Sequence, residues 1–112
     1  QALLARVARA YEEKGKLQKA LNEFDFATSF PKTSPSVWLI RGQLLEEMGK
    51  DSLAMGSYLE ALEKAEDNWD IILACSKSLL KMGKKDAVFK AVSRFLYRHP
   101  GNKEALEFLK SL

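Results

Sequence analysis

Apolar and small side chains recur along this chain at helical spacing and in a fixed longer phase. Leu4, Ala8 and Tyr11 are followed 34 residues on by Trp38, Gly42 and Leu45, and 34 further by Ile72, Ser76 and Leu79. The steps within each set are four and three residues, which put the side chains on one face of an α-helix. Leu106 extends the first series. Four residues after each set stands a glycine, Gly15, Gly49 or Gly83, each followed by lysine. A helix ending there closes in a left-handed cap that glycine adopts at little cost. After each glycine comes a second helical set: Ala20, Phe24 and Ala27, then Ala54, Tyr58 and Ala61, then the bulkier Val88, Val92 and Phe95. A period of 34 residues is the length of one helical hairpin repeated end to end.

The pattern predicts helices near 2–14, 18–30, 36–48, 52–65, 70–82, 86–98 and 103–111, and no strand. Pro31 and Pro35 bracket the first inter-repeat turn, and Pro100-Gly101-Asn102 marks the third. The second turn has no proline and relies on Asp67 or Asn68 as an N-cap, while Ser36 and Asp51 read as further caps. The small residues Ala8, Gly42 and Ser76 let the first helix of a hairpin approach Ala20 and Ala54 on the second. Trp38 and Cys75 fall in packing registers and read as core. Trp69, at the turn into the third block, is either a wedge between repeats or a contact for a partner.

Composition narrows the class. The chain has 112 residues, 46% hydrophobic and 29% charged, enough for a single domain with its own core. It opens on Gln1, which suggests a segment of a longer protein. There is no run approaching a membrane span and no signal-peptide pattern. One cysteine allows no internal disulfide and suits a reducing compartment such as the cytoplasm. The net charge of +3 is unevenly spread: residues 1–76 balance at −3, residues 77–103 at +7. Lys84, Lys85, Lys90, Arg94 and Arg98 form a basic patch, read either as a solvated outer face or as a dock for an acidic partner. Tyr97 is the one aromatic residue placed to stack a base beside them, which argues against nucleic acid.

These residues resemble the tetratricopeptide repeat. The second block carries Trp38, Gly42, Leu45, Gly49, Ala54, Tyr58 and Ala61 in the family's order, the first Leu4, Ala8, Tyr11, Gly15, Ala20, Phe24 and Ala27, and the third Ile72, Ser76, Leu79, Gly83 and Pro100. Two departures stand out. Arg41 occupies a site usually apolar, so its stem is expected to pack and its head to reach solvent. Ala87 is one place off the usual alanine. The resemblance implies an all-α right-handed superhelix of three repeats, approximately 1–34, 35–68 and 69–102. Residues 103–112 then form a capping helix or the start of a fourth repeat. It also implies a concave groove lined by the first helix of each repeat, at Arg6, Arg9, Glu13, Leu39, Ile40, Gln43, Glu47, Asp70, Leu73, Lys77 and Lys81. Leu39, Ile40 and Leu73 would anchor an apolar segment there, or be covered by a neighbouring helix. The clamp by which some members grip acidic chaperone tails would fall on Ala5, Arg9, Ile40, Asp70 and Ala74, and of these Arg9 alone suits it. The implied function is non-catalytic protein binding. Self-association through Leu106, Phe108 and Leu109 is the alternative.

Enzymatic chemistry finds no support in the pattern. His99 precedes a proline in a turn and Cys75 lies in a packing register, so no nucleophile–base pair is laid out. Adjacent pairs such as Glu12-Glu13 and Glu46-Glu47 point about 100° apart around a helix. A lone histidine supplies no metal set, and no glycine-rich phosphate loop is present, so no cofactor is expected.

Overall fold

The computed structural model describes residue 9 and residues 17–112. Among them are six α-helices and no strand: α1 (Leu17–Thr28), α2 (Pro35–Glu47), α3 (Asp51–Lys64), α4 (Trp69–Lys81), α5 (Lys85–Arg98) and α6 (Lys103–Ser111). The expected helix near 2–14 lies outside the described residues except for Arg9, which is helical. Four of the helices begin one residue earlier than the periodicity suggests, and the caps explain why. Ser34, not Ser36, is the N-cap of α2: its Oγ accepts from the Ser36 backbone N–H, and Pro35 takes the first helical position. Asp51 is not a cap either. It is the first residue of α3, where its carboxylate meets the positive end of the helix dipole. Asn68 caps α4 as expected, and Asn102 caps α6, each accepting from a backbone N–H three residues on.

The glycine stops take the form of paired backbone bonds. Gly49 (φ 75°) and Gly83 (φ 79°) are left-handed. The Gly49 N–H donates to the Glu46 carbonyl and the Lys50 N–H to the Leu45 carbonyl. The same two bonds run from Gly83 to Leu80 and from Lys84 to Leu79. This six-to-one plus five-to-two pair satisfies the last carbonyls of α2 and α4 and turns the chain sharply into the next helix.

Consecutive helices pack on one another, most extensively α2 on α3, and alternate helices also touch, α2 with α4 and α3 with α5. One continuous core runs through them, with Leu45, Tyr58, Ile72, Leu79, Val88 and Val92 fully enclosed. Gly42 sets the closest approach. A Cβ built there would sit 2.7 Å from Tyr58 Cε1, so the room left by the missing side chain is filled by the Tyr58 ring rather than by Ala54. Cys75 is buried, and burial pushes its thiol up to about 12. Trp69 is a wedge. Its ring lies 5.3 Å from that of Phe95 on α5 and 5.8 Å from that of Phe108 on α6, and its Nε1–H donates to Glu104 at 2.7 Å. Trp38 is only partly buried against the core.

The head of Arg41 does not reach solvent as expected. Its Nε donates to Asp25 of α1 at 2.7 Å and its Nη1 to the enclosed Ser57 hydroxyl of α3, leaving the side chain 18% exposed. One guanidinium on α2 thus ties both flanking helices, a use of its planar fork that a lysine could not copy.

Candidate interaction surface

The first-helix face of the second and third hairpins is built by α2 and α4. Gln43 and Glu47 are exposed on α2, and Asp70, Lys77 and Lys81 on α4; Leu73 is partly buried. Arg9 is exposed, while Arg6 and Glu13 lie outside the described residues. Leu39 and Ile40 are not surface anchors. They are 6% and 4% exposed and belong to the core. The reason lies in α2 itself, where Val37-Trp38-Leu39-Ile40 is a contiguous apolar run that wraps the helix. A helix apolar on several sides is one surrounded by protein. That run was a signal in the sequence against reading two of its members as free.

What remains on this face is polar and charged. Gln43, Glu46 and Glu47 of α2, Ser78 of α4 and the tip of Tyr58 from α3 line an open cleft of about 370 Å³. The Tyr58 hydroxyl donates to a Glu46 carboxylate oxygen. Burial, together with that acceptor, pushes the phenol well above its usual range, so it stays a neutral donor. The bond anchors one carboxylate at the cleft wall beside the exposed Glu47 and Gln43. The cleft therefore offers hydrogen-bond acceptors and negative charge on the α2 side, and Lys77 and Lys81 on the α4 side. Neither the Glu46–Tyr58 bond nor the cleft was legible in the sequence, because both depend on how α3 crosses α2.

The basic patch is only partly available. Lys84, Lys85 and Lys90 are exposed around the start of α5. Arg94 instead lies 3.7 Å from Glu63 of α3, and Arg98 lies 3.1 Å from Glu66 and 3.9 Å from Asp67. His99 Nε2 donates to Asp67 at 2.9 Å while its ring lies 4.7 Å from that of Phe95. Each of these exposed pairs contributes about 0–1 kcal/mol, yet together they direct two of the five cations into the seam between hairpins. A second cleft, of about 230 Å³, opens along that seam between Leu59, Leu62 and Glu63 on one side and Ala87, Lys90 and Arg94 on the other.

Among the described residues, no group of three or more His, Cys, Asp or Glu side chains could hold a metal ion. Nor is any described helix long and apolar enough to cross a membrane. Compared with known proteins, the chain matches no family model and no curated protein.

Proposed function

We propose that this chain is a helical-repeat module of the tetratricopeptide type, a right-handed superhelical stack that binds a partner segment on its first-helix face without catalysis. The observation that carries this reading is the cleft between α2 and α4, where exposed Gln43 and Glu47 stand opposite the helix bearing exposed Lys77 and Lys81. Three further observations support the stack. The 34-residue register recurs, packing runs between neighbouring and alternate helices, and the radius of gyration is 14.3 Å, against about 13 Å for a compact domain of this length.

Recognition on this face is electrostatic and hydrogen-bonded, with Leu73 the one apolar contact of the three once expected. The matching ligand is an extended peptide with a basic or amide-donating part for Gln43, Glu46 and Glu47, and an acidic part for Lys77 and Lys81. Docking of an acidic partner on the basic patch is the weaker reading, since Arg94 and Arg98 already face carboxylates.

A displayed peptide library selected on the 112-residue chain tests this. Selected peptides should carry both charges and lose at least about ten-fold in affinity to Glu47→Lys combined with Lys81→Glu, a loss of about 1.4 kcal/mol. Both positions are exposed, so the fold is spared. Binding untouched by that pair of substitutions would remove the groove from consideration.

A further inference from the structure

The seam between α3 and α5 is described above: position 63 on α3 faces forward along the chain of hairpins, and positions 94 and 98 on α5 face back. Moving by 34 residues carries these roles to the two ends. The backward positions on α1 are Phe26 and Phe30, and the forward positions on α5, equivalent to Glu63 and Glu66, are Tyr97 and Pro100. Charged residues in the interior seam are thus replaced by apolar ones at both outer edges.

These end residues are open to water. Phe26 is 69% exposed, Phe30 53% and Tyr97 89%, and the two phenylalanine rings meet edge-to-face at 5.2 Å to form one apolar surface. A surface ion pair is at ease in solvent, whereas large aromatic side chains gain by being covered. The interior seam also states what shape of cover fits: the edge of a second helix in the same register.

We propose that copies of this chain associate head to tail, the Phe26–Phe30 edge of α1 in one copy meeting the Tyr97 edge of α5 in the next. Phe26 then stands to Tyr97 as Arg94 stands to Glu63 inside the molecule. The contact is heterologous, so it extends from copy to copy instead of closing as a two-fold pair. The proposal rests on the stacked-repeat reading and makes no use of the groove.

Sedimentation across a concentration series of the whole chain, with two end-blocked variants, decides it. The wild type should rise in mean mass above the 12.6 kDa of one chain as concentration increases. Phe26→Glu and Tyr97→Glu should each weaken association at least ten-fold. Both positions are exposed, and matching melting curves keep the fold constant. An equimolar mixture of the two variants retains one intact pairing, Tyr97 of the first with Phe26 of the second, and should form a one-to-one dimer that grows no further. A wild type that stays monomeric to its solubility limit overturns the proposal. So does a Tyr97→Glu variant that associates as well as wild type, or a mixture that stays monomeric. Failure here leaves the groove standing, since neither residue lines it. Loss of peptide capture by the groove variant with association intact separates the two readings in the opposite sense.

Discussion

Replacing Gly42 by alanine sets two effects against each other, and the structure says which wins. In the middle of a helix, glycine to alanine is worth about 1 kcal/mol of stabilisation from propensity alone. At Gly42 the new Cβ would lie 2.7, 2.8 and 3.0 Å from three atoms of the Tyr58 ring. Carbon atoms prefer separations of about 3.5–4.0 Å. The ring cannot step aside freely, because Tyr58 is fully enclosed and its hydroxyl is held by Glu46. Overpacking costs about 1–3 kcal/mol, and stretching the buried hydrogen bond adds about 1 kcal/mol. The net is a destabilisation of about 1–3 kcal/mol, or about 5–15 °C in Tm for a domain near this size. Thermal melts by circular dichroism read it directly. Gly56→Ala is the control: Gly56 lies within α3 with nothing inside 4 Å of its built Cβ, so it should gain about 0.5–1 kcal/mol. Gly42→Ala combined with Tyr58→Leu should recover part of the loss, revealing the pair as coupled. If Gly42→Ala raises Tm as Gly56→Ala does, the close approach of α2 and α3 is not what limits this position.

Other outcomes follow from single side chains. Cys75 has a folded value of about 12 against an ordinary 9.0, so the folded state holds its proton longer than the unfolded chain does. Stability from this group is therefore complete below about pH 9 and is lost as pH rises towards 12, by an amount approaching about 4 kcal/mol. Urea melts at stepped alkaline pH should show a shallower decline in Cys75→Ala, and parallel declines would contradict the burial argument. Asn68→Ala removes the cap of α4 and should cost about 0.5–2 kcal/mol, while Ser36→Ala, at a position first read as a cap, should cost less; chemical denaturation ranks them. Arg41→Leu strands the enclosed Ser57 hydroxyl and should cost about 1–3 kcal/mol, against under about 1 kcal/mol for Asp25→Ala, whose side chain is 47% exposed. Ser76 has a buried Oγ with no partner among the described residues, so Ser76→Ala should be neutral or stabilising in the same assay.

The helices were legible because their signals are local. The four-then-three spacing of Trp38, Gly42 and Leu45, or of Ile72, Ser76 and Leu79, is a property of one helix face, and the glycine stop needs only its own backbone angle. Starts were less legible. Serine and asparagine caps compete within two residues, as Ser34 and Ser36 do, and an aspartate serves equally as a cap or as a first-turn charge. Contacts between hairpins were illegible, because a residue's spacing within its own helix does not say what lies across from it. Arg41 sits 16 residues from both Asp25 and Ser57, a distance no helical period marks. Leu39 and Ile40 failed for a different reason. Their family position points to the groove, but the apolar run around them encloses their helix, and enclosure depends on every neighbour at once.

The packing of each helix on those one or two places away also bears on how the protein is made. A low separation between contacting residues favours rapid folding. The α2–α3 hairpin already contains Gly42, its tyrosine and the glutamate that holds the hydroxyl. As the polypeptide leaves the ribosome, that pair can settle while α5 and α6 are still being synthesised, so maturation can proceed from the amino end outward.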